Sequence, residues 1–197
     1  MNSIFTLPPI TLLVSVGKPD ELSQFRRLST PGSETTIIGA DFQTASMLRE
    51  SGVCCKTLEE HFGIPEFTSG KHNLCHPRVT DAISINREDE DGLRLLVSSP
   101  IDAVIVNFAE HSTVHRAGSL DEARCRLLYL SRTYYKTVAN VVRPQDYGRV
   151  VSGFHDNGCL SSHMKETLAE TACQMLFDVQ RSGDDSIPRW LLSKTCR

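Results

Sequence analysis

The chain has 197 residues, a formal net charge of −3 and 23% charged residues. This length predicts one domain over residues 1–197, with a core at about 11–181 and a tail at 182–197, and such a chain can bury a core without metal or disulfide support. The weak negative charge excludes a basic surface for nucleic acid and a polybasic patch for a membrane.

The cysteines and the N-terminal apolar run indicate the compartment. Seven cysteines, an odd number, include no Cys-x-x-Cys pair, which is typical of reduced thiols in a cytoplasmic protein. The apolar run at residues 10–16 follows no charged region and is too short to span a bilayer. We therefore interpret it as a buried first strand and expect no signal peptide.

Short apolar runs alternate along the chain with segments of helical spacing. Five runs have the length of buried strands: residues 12–16, 35–38, 53–56, 102–108 and 138–142. Five segments carry a helix cap or helical spacing and begin near residues 20, 41, 120, 145 and 161. This alternation favours an α/β fold whose mostly parallel sheet is covered by helices on both faces.

Ligands of such sheets bind at the carboxyl ends of the strands, so the loops after Val16, Ile38 and Phe108 are the expected location of a site. The first loop joins a hydroxyl, free backbone amides and the charge of Lys18 at the start of a predicted helix, as in a phosphate cradle. An exposed lysine in an ordinary strand–turn–helix junction is the alternative. In the second loop, Asp41 would repel a phosphate, and a helix-cap role for it is equally consistent with the sequence.

A signature segment lies between the loop after Ile38 and the loop after Phe108. Residues 64–77 read I-P-E-F-T-S-G-K-H-N-L-C-H-P, which resembles the G-F-P-E-x-x-x-G-R-V-K-T-L-H-P signature of IMP cyclohydrolase, the ring-closing half of the bifunctional purine enzyme. Lys71, Asn73 and Leu74 replace the family Arg, Lys and Thr. The resemblance extends over about residues 12–180 and includes R-P-Q-D-Y at 143–147.

The resemblance implies a methylglyoxal synthase-like fold, a three-layer α/β sandwich, and a homodimer. It also implies a small-molecule substrate, a ribotide-like or other anionic heterocycle precursor, and no cofactor. In the family, a carboxamide nitrogen attacks a formyl carbon of the same molecule and water leaves. The family's second domain, a formyl transferase, has no counterpart in the sequence, so a stand-alone domain is expected.

Two sets of site residues are expected, some from matches to the family and some, such as Gly17, Gln43, Glu110 and His111, at positions where the chain departs from it. For substrate or phosphate binding they are Ser15, Gly17, Lys18, Gly39, Gln43, Thr44 and Asn73. For catalysis they are Lys71, His76, Asn107, Glu110, His111 and Lys136.

Several of these assignments leave alternatives open. Lys136 preserves a family lysine only if a gap follows it, and without the gap Thr133 takes that position. The family D-I-G-G loop is replaced by a helical pattern. Glu110 and His111 are either a new acid–base pair or a solvated turn, and His76 is either catalytic or a loop-orienting residue.

Metal-ligand spacing occurs twice, but neither case predicts a metal site. His72 and His76 with Cys75 form one set, and His111 with His115 forms the other. Neither set lies clearly on a helix, where this spacing would align the imidazoles, and Pro77 opposes a helix through His76.

Three functional hypotheses follow. The first is a diverged cyclohydrolase-like enzyme that closes or modifies a ring, through dehydrative C–N bond formation, on a purine-precursor-like or related molecule of a specialised biosynthetic pathway. The second is a genuine IMP cyclohydrolase of purine biosynthesis. The third is a non-catalytic module that binds a nucleotide or phosphate.

Overall fold

The computed structural model describes residues 9–30, 32–65, 73–96, 98–108 and 120–181. Within these ranges the chain forms one five-stranded sheet with the order β3-β2-β1-β4-β5, and every neighbouring pair is parallel. The strands are β1 (Ile10–Val16), β2 (Thr35–Gly39), β3 (Lys56–Thr57), β4 (Ala103–Asn107) and β5 (Ala139–Val141). The predicted parallel α/β sheet is confirmed, and the third strand, which begins at Lys56 instead of residue 53, differs most from its predicted start.

Helices cover both faces of the sheet. They are α1 (Phe42–Glu50), α2 (Leu58–Phe62), α3 (Pro77–Ser84), α4 (Glu90–Leu95), α5 (Leu120–Thr133), α6 (Tyr147–Asn157) and α7 (Ser162–Arg181). One core layer joins the sheet to α2, α3 and α5, and a second joins it to the 3-10 helix Leu22–Arg27, α1 and α6. The central strand β1 is therefore buried along its whole length, as its continuous apolar sequence predicts.

Local sequence explains where several helices begin. Asp41 caps α1 as proposed, because its Oδ1 accepts a hydrogen bond from the Thr44 N–H at 2.8 Å. The helix predicted from a cap at Asp20 is instead a 3-10 helix. It is preceded by Glu21 in a left-handed conformation with φ 60° and without a side-chain cap. The helix predicted to begin near residue 120 starts at Leu120 and ends at Thr133, in a turn that leads into β5.

The amino ends of the parallel strands lie along one edge of the sheet, the amino edge, and their carboxyl ends lie along the opposite one, the carboxyl edge. At the amino edge, Asp102 accepts a hydrogen bond from the Thr11 N–H at 2.7 Å and one from Arg87 at 3.0 Å, which fastens the start of β1. At the carboxyl edge, the loop after β1, the start of α1 and the start of α5 converge. The predicted ligand loops after Val16 and Ile38 therefore lie together, as the carboxyl ends of parallel strands require. The loop predicted after Phe108 falls outside the described residues.

Candidate functional site

Asn107, the last residue of β4, holds the loop that follows β1. Its Oδ1 accepts hydrogen bonds from the N–H groups of Gly17 at 2.8 Å and Lys18 at 3.2 Å. Its Nδ2 donates to the Lys18 carbonyl at 3.1 Å and to the Tyr147 hydroxyl at 3.3 Å. These four bonds use the whole capacity of a side-chain amide, so Asn107 positions the loop that carries Lys18.

Lys18 is the cation that this loop presents. Its Nζ lies 2.7 Å from Oδ2 of Asp20, and 37% of its side chain remains exposed. A half-exposed ammonium on a backbone fixed by Asn107 can meet an anionic or carbonyl group of a small molecule. Behind the loop, burial raises the pKa of Tyr147 well above its ordinary value, so its hydroxyl stays protonated.

Ser15 and Thr44, both predicted to bind phosphate, are fully buried and bond to Asp41. The hydroxyl of Thr44 donates to Oδ2 of Asp41 at 2.8 Å and accepts the Val16 N–H at 3.1 Å. The hydroxyl of Ser15 donates to the same Oδ2 at 3.2 Å. The carboxylate of Asp41 thus lies at the N-terminus of α1 and accepts hydrogen bonds from both hydroxyls.

Arg124 of α5 completes this buried cluster. Its Nη2 donates to the Val16 carbonyl at 2.6 Å and lies 3.7 Å from Oδ2 of Asp41. Its Nη1 donates to Oδ1 of Asp121 at 2.8 Å, and its Nε donates to the Ser15 hydroxyl at 3.2 Å. The Arg124 side chain is only 3% exposed. We call the five side chains the Asp41 cluster: Ser15, Asp41, Thr44, Asp121 and Arg124.

Gly39 and Gln43, the other two predicted binding residues near α1, differ in burial. Gln43 is exposed in the first turn of α1, beside Phe42, which is 70% exposed. Gly39 is buried, and a Cβ added to it would lie 2.8 Å from the Cα of Ala45. The close approach of α1 to β2 therefore accounts for the glycine.

Gly39→Ala is expected to lower the free energy of unfolding by about 1–3 kcal/mol, because backbone atoms of α1 must move to admit the methyl group. Urea denaturation measures the change. Gly148→Ala is the matched control, since its new Cβ would meet only the end of the flexible Gln24 side chain. An equal or smaller loss for Gly39→Ala than for Gly148→Ala would contradict the packing explanation.

His76 follows Cys75, whose thiol lies near Glu122 and Arg126 in the first half of α5, and it is therefore at the same end of the sheet as the Asp41 cluster. It is the N-cap of α3, and its Nδ1 accepts a hydrogen bond from the Arg78 N–H at 3.2 Å. The segment Asn73–Cys75 just before it packs against α5. This bond ties the His76 ring to the first turn of α3, which fits the loop-orienting alternative for His76. With Nδ1 as the acceptor, the neutral ring carries its proton on Nε2.

Among the predicted residues that the structure describes, Lys136 is not brought together with the others. It is exposed in the turn after α5 and directly precedes β5, whose first residue Ala139 pairs with Ala103 at the start of β4. Its backbone carbonyl accepts a hydrogen bond from Lys165 at 3.3 Å. Lys136 therefore lies at the amino edge of the sheet, whereas Asn107 and Lys18 lie at the carboxyl edge. Thr133, the alternative, is at the same end of α5 as Lys136.

The remaining predicted residues fall outside the described ranges. They are Lys71, Glu110, His111 and the side chain of Asn73. The same holds for three of the four histidines with ligand-like spacing, and within the described ranges no group of three or more metal-ligand side chains occurs. None of the described helices is both long and apolar enough to cross a membrane.

Sequence reasoning missed the two charged residues of α5 that belong to the Asp41 cluster. The signal was present, since Arg124 shares one helix face with Leu128 and Ser131, both buried. A charge on an otherwise buried stripe indicates a buried partner. That partner, Asp41, is distant in sequence, so only the fold identifies it.

The chain is similar to three bacterial proteins named bifunctional purine biosynthesis protein PurH. Identity to that of Rhodopirellula baltica is 26% over 198 residues, which covers 94% of this chain and 36% of the relative. It is 25% over 173 residues for a Thermoanaerobacter species, covering 81% and 34%, and 27% over 137 residues for Persephonella marina, covering 64% and 27%. The chain thus spans about a third of these relatives' length. No protein-family model matches it.

Among solved structures, the crystal structure of ForH is similar to the chain at a TM-score of 0.68 and 19% identity, covering 89% of this chain and 97% of ForH. At this identity the likeness shows the fold alone, and it agrees with the predicted methylglyoxal synthase-like sandwich. The predicted resemblance to the bifunctional purine enzyme is confirmed: the chain is a diverged relative of part of the PurH proteins.

Proposed function

We propose that this protein is a diverged cyclohydrolase-like enzyme. It closes or modifies a ring on a purine-precursor-like or related small molecule, by dehydrative formation of a C–N bond, in a specialised biosynthetic pathway. The observation that carries the proposal is the alignment of 94% of the chain with a PurH protein, at 26% identity. The replaced signature residues Lys71, Asn73 and Leu74 argue for a substrate other than that of the family.

The chemistry needs an oriented substrate, a donor for developing negative charge and a route for protons. In the proposed enzyme, Lys18 meets the developing charge from a loop held by Asn107. The Nε2–H of His76 lies at the same end of the sheet and is a candidate hydrogen-bond donor to the substrate. Phe42 offers an exposed aromatic face beside this edge for a flat heterocycle.

A non-catalytic binding module is the second candidate. It is favoured because the side chains of Ser15, Thr44 and Asn107 make their hydrogen bonds to other groups of the protein. A genuine IMP cyclohydrolase is the third, and formation of IMP at an enzymatic rate would favour it.

Mass spectrometry tests the proposal. The purified protein is incubated with formyl-aminoimidazole carboxamide ribotide and, separately, with the corresponding nucleoside, and each is followed for the loss of one water. Loss of water above the rate without enzyme supports a cyclohydrolase-like enzyme. Binding of either compound without any change in mass favours the binding module instead.

The two described candidate lysines should behave differently in this assay. Lys18→Ala is expected to lower kcat/KM about tenfold or more, because it removes the cation at the carboxyl edge. Lys136→Ala is expected to change kcat/KM by less than about twofold, because Lys136 lies at the opposite edge. The reverse order would place the site at the amino edge and contradict the proposed location.

The proposal includes the homodimer and the cytoplasmic location that the sequence predicts. Sedimentation equilibrium of the purified protein measures the first, and a dimeric mass is expected. A monomer at micromolar concentration would remove the homodimer from the proposal without affecting the ring chemistry.

A further inference from the structure

We infer that Asp41 is a specificity-determining residue, because its carboxylate occupies the hydrogen-bond donors at the N-terminus of α1 that could otherwise hold an oxyanion. We call these donors the oxyanion cradle. The carboxylate thereby keeps phosphate away from the N-terminus of α1. The inference rests on the proposed function, because it concerns the ligand of the same site. It narrows the substrate class to molecules whose part facing α1 carries no phosphate or other negative group.

The donors around Asp41 are those that a bound oxyanion would use. Oδ1 receives a backbone N–H from the first turn of α1, that of Thr44, at 2.8 Å. Oδ2 receives the hydroxyls of Thr44 at 2.8 Å and Ser15 at 3.2 Å, and the guanidinium of Arg124 lies 3.7 Å from it. Helix N-terminal amides, hydroxyls and arginine are the groups with which proteins hold phosphate.

Burial and charge both oppose a second anion at this position. Ser15 and Thr44 are fully buried, and Asp41 and Arg124 are 7% and 3% exposed. The cluster joins two carboxylates, Asp41 and Asp121, to one guanidinium, so its formal charge is −1. A phosphate would have to displace the Asp41 carboxylate and then lie beside Asp121.

The test replaces Asp41 with serine, which is smaller and uncharged, so that a carboxylate no longer occupies the cradle. Melting temperatures are measured with increasing inorganic phosphate and with sodium chloride at matched ionic strength. The wild type is expected to show no shift beyond that of sodium chloride. Asp41→Ser is expected to gain a saturable increase of about 2–4 °C with phosphate, because phosphate binds the vacated cradle only in the folded protein. Asp41→Gly is the second variant if the serine protein does not fold.

Two controls isolate the cause. Asp41→Asn keeps the volume and removes the charge, so its cradle stays filled and no phosphate-specific shift is expected. Asp89→Ser alters an exposed helix cap, where Asp89 Oδ1 accepts the Gly92 N–H at 2.9 Å. No phosphate-specific shift is expected there either.

A saturable phosphate shift in the wild type would overturn the inference, as would its absence from both Asp41→Ser and Asp41→Gly. Neither result depends on turnover. If the phosphate shifts occur as expected while no compound loses water, the proposed reaction fails and the exclusion of phosphate stands. If the ribotide is turned over and neither Asp41→Ser nor Asp41→Gly shows a phosphate-specific shift, only the inference about Asp41 fails.

Discussion

Arg124→Met is expected to lower the free energy of unfolding by about 3–5 kcal/mol, the largest change that we expect from a single substitution in this chain. Methionine fills much of the volume of the arginine side chain, so the loss does not come from a cavity. It comes from Asp41 and Asp121, which would remain buried as carboxylates without their common guanidinium partner. Urea denaturation, followed by circular dichroism, measures the change.

Arg126→Met is the matched control because it changes the same residue type two positions away on α5. The Arg126 side chain is 59% exposed and pairs with Glu122 on the same helix. Exposed pairs of this kind contribute about 0.3–0.5 kcal/mol. Equal losses for the two variants would show that the buried cluster does not stabilise the fold as described.

Asn107→Leu is expected to lower the free energy of unfolding by about 2–4 kcal/mol, because the N–H groups of Gly17 and Lys18 and the hydroxyl of Tyr147 each lose a partner. Leucine has the branched shape of asparagine but forms none of these bonds. The freed loop should also lower kcat/KM, since Lys18 would no longer be held in one place.

Asn86→Leu provides the comparison. Asn86 is exposed, and its Oδ1 accepts one local hydrogen bond, from the Glu88 N–H at 3.1 Å. A loss below about 1 kcal/mol is expected for this variant in the same urea titration. If Asn107→Leu is no more destabilised than Asn86→Leu, the amide of Asn107 does not hold the loop.

Much of the sheet could be predicted from the sequence. The continuous apolar run at residues 12–16 and the run at 102–108 identify the two central strands, because a strand buried on both faces needs no polar alternation. The cap at Asp41 follows from the preference of aspartate for a helix N-terminus, and the structure contains it. The helix expected after Asp20 fails because packing of Leu22 and Phe25 is satisfied by a 3-10 helix.

Three helices between β3 and β4, namely α2, α3 and α4, had no counterpart in the prediction. Each has at most eight residues, too few for helical spacing to be distinguished from chance. Their ends are set locally instead, by a capping box at Thr57 and by Pro77 at the start of α3.

The site was less predictable than the sheet. Sequence spacing located the loops but not the partners of their side chains, so the hydroxyls of Ser15 and Thr44 could be assigned to a ligand although Asp41 receives them. The position of Lys136 depended on an alignment gap that spacing cannot resolve. The parallel pairing of β5 with β4 places it at the amino edge.

The most direct test of the account follows one dehydration by mass spectrometry, with wild-type and Lys18→Ala protein and with the formylated carboxamide as ribotide and as nucleoside. We expect loss of one water above the uncatalysed rate, faster with the nucleoside, and slowed about tenfold or more by Lys18→Ala. Turnover that Lys18→Ala leaves unchanged, or no turnover of either compound by the wild type, would contradict a cyclohydrolase-like site at the carboxyl edge of this sheet.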